Sequence, residues 1–544
     1  MPIKILPPEV SSKIAAGEVI ERPSSVVKEL IENSLDADAT EISIEAHNGG
    51  VSYLRVTDNG CGLSAADAEI AIRRHATSKI TGLDDLEHIH TLGFRGEALP
   101  SIASVCEVEI LTRDSGSSAA SYLHLENGKV SGREKKSRPQ GTTITVRRLF
   151  QNFPARLKFL KSASTESGHI TTLISQYALA FPEVKFELIL DGKSSLRTTG
   201  DAELRSSVAV VYGLETAKKL LEVEGTDGML YIQGLASPPS VERATRSYMS
   251  FFVNRRYVRN PLLAKAVETA YEGLFMTGRH PVAVINISIP PEEVDVNVHP
   301  TKLEVKFRNN NTVFTALVRT VRDTLAKSPL PAVRPGTEDA STQMMWGQLP
   351  HDTSLPPLRA VGQLSASYIL AEGEDGLYLV DQHAAHERIL FDRILLQRSQ
   401  KKPEVQGMLE PLAVELSPQQ EQAMAACGDL LNELGFTIEP FGERTCLVRA
   451  VPALLNGDNL NEAIIELLDE IGSEQDVQKR DIKAAQSLAC HGAIRAGQIL
   501  DSSEMAGLVK QLERTSQPRT CPHGRPTMIH LSSQQLKKEF GRTG

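Results

Sequence analysis

Residues 26–39 read VVKELIENSLDADA, and the spacing inside them decides what kind of domain opens the chain. Val26, Val27, Leu30 and Ile31 recur at the interval of a helix with one apolar face. Glu29 and Asn33, four residues apart, then project together from another side. A carboxylate beside an amide oxygen suits a water-activating base next to a Mg2+ ligand, because Mg2+ takes oxygen donors and shares its shell with nucleotide phosphates. The same pair also fits an ordinary solvated helix face.

Outward from this helix, EISIEA (41–46), the turn Asn48-Gly49-Gly50 and SYLRVTDNGCG (52–62) predict a hairpin whose second strand ends at Asp58. A carboxylate there can accept the exocyclic amine of adenine, with Gly60 and Gly62 letting backbone approach the base. Asp-Asn-Gly is equally a common turn. HATSKI (75–80) then places Thr77, Ser78 and Lys79 before a loop containing Gly93, Phe94, Arg95 and Gly96, which opens a helix at about Glu97, followed by Ala98 and Leu99. N–H groups at such a helix start favour phosphate. No Gly-Lys-Ser/Thr follows, and kinase-type and Rossmann glycine patterns are absent, so a different nucleotide fold is expected. Gly141, Thr142 and Thr143 begin a later strand near the adenine pocket.

Taken in order, ELIENSLDA, DNGCG, GFRGEAL and GTT resemble the four motifs of the gyrase, histidine kinase and MutL ATPase superfamily (GHKL). IAAGEVIERP, FPARLKFLK and DVNVHPTKLEVKF are similar to the MutL mismatch repair family in particular, and the resemblance spans residues 3–330. It implies an α+β multidomain chain: a Bergerat-type α/β sandwich over 1–204, then a ribosomal-protein-S5-like α/β domain over 205–330. By resemblance, Glu29 is the general base, Asn33 the Mg2+ ligand and Asp58 the adenine contact. The glycines, lid residues and threonines named above line the ATP site, and Lys302 reaches the γ-phosphate from the second domain. A cation sensing that phosphate could order the lid over 75–98 and clamp two domains while ATP is intact.

From Ser328 to Pro357 the sequence is rich in Pro, Ser, Thr and Gly without periodicity, which predicts a flexible linker at 331–357, with Trp346 inside it. Beyond it lies a C-terminal α/β domain, 358–544, with an inserted lobe at about 400–485. Its start, SYILAEGEDGLYLVDQHAAHERILFDRIL, reads as two strands around an Asp-Gly turn and a helix beginning close to Ala384. Asp381 ends a strand, and His383 and Glu387 are one helical turn apart. Cys490 in SLACHGAIRAG, and Cys521 and His523 in CPHGRP, extend the set of donors. Such mixed donors can hold one or two ions, Zn2+ or Mn2+, and leave room for water and phosphate, with Arg525 available for charge. His386, His491 and Arg495 are either outer groups around that centre or ordinary surface.

These segments resemble the DQHA-x2-E-x4-E, Ala-Cys and Cys-Pro-His-Gly-Arg-Pro motifs of nicking-competent members of the family, which implies a dimerising, metal-dependent endonuclease. Asp392 stands where that motif has its last Glu, so it is not counted as a ligand. QGMLEP resembles a sliding-clamp docking peptide through Gln406, Met408 and Pro411. The resemblance also implies a homodimer, a MutS-type mismatch sensor, DNA and a repair helicase as partners. The alternative is an ATP-gated scaffold whose metal site is structural.

Composition bounds these expectations. Six cysteines in 544 residues are too few for a disulfide framework. No apolar run approaches a membrane span and no secretory signal is apparent, so a bacterial cytoplasmic protein, at the nucleoid when acting, is expected. Net charge is -9, yet residues 1–330 hold 39 basic against 39 acidic side chains, which makes that part the expected first contact with DNA. Its cation clusters are Arg147 and Arg148, then Arg156, Lys158 and Lys161, then Arg255, Arg256 and Arg259.

Overall fold

A computed structural model describes residues 20–79, 91–93, 96–126, 128–275, 278–295, 305–327, 355–442, 444–455, 459–474, 476–495, 497–540 and 542. The chain divides into two compact units, residues 1–332 with 416–426, and residues 333–415 with 427–544.

In the first unit, Pro23 starts the helix Pro23–Leu35, where its fixed φ fits the first turn and its missing N–H is no loss. Val26, Val27, Leu30 and Ile31 are all buried, worth about 2 kcal/mol each in surface removed from water. The strands Glu41–His47 and Tyr53–Asp58 pair antiparallel, with Ile42, Ile44 and Ala46 pointing inward and the polar alternates outward. They sit in an eight-stranded sheet of order Lys129–Lys136, Ala120–Glu126, Glu107–Arg113, Gly141–Arg147, Tyr53–Asp58, Glu41–His47, Lys185–Leu190, Lys193–Arg197. One neighbouring pair, Glu41–His47 with Lys185–Leu190, is parallel. The helices Pro23–Leu35 and Ala163–Ala180 pack together beside this sheet.

A second sheet runs Arg256–Val258, Met249–Val253, Ala283–Ser288, Leu230–Ala236, Leu221–Asp227. Its strand Met249–Val253 is buried throughout, and the two faces feed different cores. Phe252 and Val284 join the core of the large sheet. Phe251, Ile285 and Ile287 join another with the helices Pro261–Ala270 and Asn310–Lys327.

In the second unit the sheet order is Arg359–Leu364, Tyr368–Gly373, Gly376–Asp381, Met528–Ser532. The helix Gln382–Ser399 follows directly from the third strand, slightly earlier than its sequence suggests, because the Asp381 carboxylate caps it. A three-stranded sheet, Val405–Glu415, Thr445–Pro452 and Thr437–Pro440, is followed by the helices Leu460–Ser473 and Val477–Gly492, which pack on each other. No helix among the described residues is long and apolar enough to cross a membrane.

Candidate functional site

Asp58 ends its strand buried, and its carboxylate is held on both oxygens. Oδ1 accepts from the N–H groups of Gly60 and Thr142, each at 3.0 Å. Oδ2 faces the Ser34 hydroxyl at 3.0 Å, which the Leu30 carbonyl also accepts. Arg138 locks the strand end, donating to the carbonyls of Asp58 at 3.1 Å and Leu111 at 2.6 Å. The glycines here answer to the chain's own packing. A Cβ on Gly60 would meet Ala37 O at 2.6 Å, and one on Gly62, at φ +72°, would meet Arg113 O at 2.0 Å. Thr142 pairs its hydroxyl with Thr112 at 3.0 Å, while Thr143, on the alternate face, reaches Thr57 at 3.2 Å.

The helix face carrying Glu29 and Asn33 is engaged as well. Lys28 lies 3.7 Å from Glu29 and 3.3 Å from Glu32. Glu32 is buried and accepts from the Tyr177 hydroxyl at 2.9 Å, so burial and then this carboxylate push the phenol well above its usual range. Asn33 Oδ1 accepts from Lys79 Nζ at 2.9 Å, and the same ammonium lies 2.6 Å from Asp36 Oδ2. Two oxygens that already hold a cation fit the expected Mg2+ position in donor chemistry.

Asp36, inside the ELIENSLDA stretch but given no role in the sequence reading, also accepts from the N–H groups of Leu92 at 2.9 Å and Gly93 at 3.0 Å. From the other side, Arg256 Nη2 donates to the carbonyls of Thr91 at 3.3 Å and Leu92 at 3.2 Å. The lid base is thus fastened to the first helix and to the strand Arg256–Val258 of the second sheet. Thr77 Oγ1 accepts from Lys79 N at 3.2 Å, Ser78 is exposed, and Gly96 and Glu97 lead into the helix Ala98–Val105, which contains Leu99. Phe94, Arg95, Lys302 and the linker tryptophan lie outside the described residues. Several cations proposed for DNA are committed elsewhere: Arg147 to Glu109, Arg148 to Glu107, Arg255 to Glu183, Arg256 to the lid.

In the second unit, Glu387 is shared by two groups of donors. His383, Glu387 and Cys490 form one, and Glu387, Cys521 and His523 the other; within each, the ligand atoms lie inside 4.8 Å of one another. His383 Nδ1 is 2.9 Å from the Ile494 carbonyl. A carbonyl only accepts, so Nδ1 carries the proton and Nε2, 3.3 Å from Glu387, is turned to the donors. Burial alone would raise the Glu387 carboxyl, but hydrogen bonds to His383 and His523 hold it far below the usual range. Cys490 and Glu387 push His383 up to about 10, and Cys521 and Glu387 do the same to His523. Two thiols, two imidazoles and a carboxylate fit Zn2+ well; Mn2+ prefers a more oxygen-rich set.

Asp381 belongs to neither group: its Oδ1 accepts from the N–H groups of His383 and Ala384, each at 3.0 Å. Asp392 lies against Arg388 at 3.4 Å and accepts from Ser516 N at 2.7 Å. The nearby histidines have structural partners. His386 Nδ1 accepts from Ile494 N at 2.9 Å, and burial, then the charge on His383, lowers it to about 4. His491 pairs with Glu466 at 3.0 Å. Gln406 and Pro411 are exposed and Met408 half-buried on the strand Val405–Glu415.

Residues 21–152 match the family described as histidine kinase-, DNA gyrase B-, and HSP90-like ATPase. Residues 208–326 match the DNA mismatch repair protein C-terminal domain, and 361–500 the MutL C-terminal dimerisation domain. The chain is 39% identical to the DNA mismatch repair protein MutL of Desulforudis audaxviator over 567 residues, covering 99% of both. It is 40% identical to that of Methanothrix thermoacetophila over 557 residues, again covering 99% of both. A crystal structure of the N-terminal domain of a DNA repair protein aligns with TM-score 0.51 and 27% identity, covering 58% of this chain and 97% of that one. A GHKL-type ATPase domain, an S5-like domain and a dimerisation domain therefore follow one another in a chain that belongs to the MutL family of DNA mismatch repair proteins.

Proposed function

We propose that this chain is an ATP-driven switch that also nicks DNA. In the first unit Glu29 takes the proton of the water that attacks the γ-phosphate, Asn33 holds Mg2+, and Asp58 receives the adenine amine beside Gly60, Gly62 and Thr142. Lys79 and the segment 91–99 cover the phosphates, and Lys302 approaches from the second domain. The contact that supports coupling is Arg256 on the lid carbonyls, since movement at 91–93 then reaches the second sheet directly.

In the second unit His383, Glu387, Cys490, Cys521 and His523 would hold Zn2+ or Mn2+. A bound ion there would supply Lewis acidity and an activated water for phosphodiester cleavage. The convergence of these five residues carries the reading. The chain acts as a homodimer on DNA, directed by a MutS-type sensor, a sliding clamp docked at Gln406, Met408 and Pro411, and a helicase acting afterwards.

A second reading has an observation of its own. Asp381 is used as a helix cap and Asp392 as a loop anchor, which leaves a compact Cys/His/Glu set typical of a structural ion. Nicking of supercoiled plasmid with Mn2+ at low salt separates the two, using the intact protein, Glu387→Gln and Glu29→Ala. Incision by the intact protein that is lost in Glu387→Gln supports the nuclease. No incision by the intact protein, even with a loaded clamp, leaves the ATP-gated scaffold.

A further inference from the structure

Cys521 is flanked by two backbone carbonyls, and each is taken by a side chain from a different ligand-bearing helix. Arg388 Nε donates to Thr520 O at 2.6 Å, and Gln486 Nε2 donates to Pro522 O at 2.7 Å. Arg388 directly follows Glu387 on the helix Gln382–Ser399, and Gln486 lies one turn before Cys490 on the helix Val477–Gly492. Arg388 is buried, and its other nitrogens reach Gln517 Oε1 and Asp392 Oδ1, each at 3.4 Å. The Asp392 Oδ2 bond from Ser516 N completes the set. The segment 516–522 is thereby fixed to both helices.

Guanidinium geometry explains the choice of arginine. Its planar fork can hold a peptide carbonyl and a carboxylate at once, which an ammonium cannot do in fixed directions. The substituted acid also makes sense: Asp392 serves the loop backbone.

We propose that Arg388, Asp392 and Gln486 are positioning residues of the metal centre, holding Cys521 and His523 at the distance from Glu387 and Cys490 that joins the two donor groups into one. This rests on reading those donors as a metal site. Outer partners of this kind typically change metal affinity by about 10–100-fold, because bond lengths to a small cation tolerate only a few tenths of an ångström.

The test is Co2+ titration of the full chain, reading the thiolate-to-cobalt charge-transfer band and the Kd, for the unaltered protein, Gln486→Leu and Asp392→Ala, with circular dichroism as a check on folding. Gln486→Leu changes a half-buried side chain and so remains informative if Asp392→Ala does not fold. Both variants should bind Co2+ about 10–100-fold more weakly, with roughly half the charge-transfer intensity as Cys521 leaves the shell and Cys490 stays. Unchanged affinity and band intensity in Gln486→Leu overturns the positioning role while leaving the metal reading intact. So does a lowered melting temperature with an unchanged band. A chain that gives no charge-transfer band before substitution overturns both.

Discussion

Glu470 faces a neighbour of its own charge: burial, and then the Glu466 carboxylate, push it up from 4.5 to about 7. Between those values the folded chain keeps a proton that the unfolded chain has lost, so stability falls as pH rises through that window. The full cost of the ionised form is present above it. Glu470→Gln should therefore raise stability at pH 8 by about 1–2 kcal/mol and leave it nearly unchanged near pH 4, as thermal melts at the two pH values would show. The spacing of four between Glu466 and Glu470 on the helix Leu460–Ser473 is visible in the sequence, but the burial that contributes most arises only once the chain has packed. Asp58 is the opposite case. Local alternation placed it at a strand end, although its bond from Thr142 N depends on a strand 84 residues later.

The segment 91–93 shows the same division at the scale of an element. Its glycine-containing motif was legible, but its attachments were not: Asp36 is 56 residues from Leu92 in sequence and Arg256 is 164. Asp36→Ala removes both N–H acceptors and one partner of Lys79, so the lid base should loosen without loss of the buried helix face. We expect the KM for ATP to rise about tenfold with kcat less affected, in steady-state hydrolysis assays, an effect of about 1.4 kcal/mol. At the other end of the chain, Asp501 and Glu504 form a reciprocal capping box on the helix Ser502–Leu512. Asp501→Ala should lower unfolding free energy by about 1 kcal/mol in denaturant titration, leaving metal affinity unchanged. The strand Met528–Ser532 was invisible in advance for a further reason: it completes the sheet beside Gly376–Asp381, roughly 150 residues earlier, and its sequence carries no marker of that partner.

At the scale of the whole molecule, each unit has apolar packing of its own among the described residues: Phe252 and Val284 belong to one core of the first unit and Ile285 and Ile287 to another, while Ile369, Tyr378, Val380 and Leu512 share one in the second. Calorimetry should resolve two transitions. Mg-ATP at 100 times its Kd should raise one, equivalent to about 2.7 kcal/mol, while a zinc chelator lowers the other. Both transitions moving together under either treatment would contradict separate unfolding of the two units. The strand Val405–Glu415 adds a last consequence. Among the described residues it is an edge strand of its sheet, its pairing slips between Gly407 and Leu412, and it exposes Leu409 completely. A flat edge bearing a bare leucine would recruit strands from other copies and seed fibres, but the slip breaks the regular row of N–H and C=O groups that such recruitment needs. The irregularity thus works against pairing of this edge with the same edge of another copy, even though Leu409 is bare.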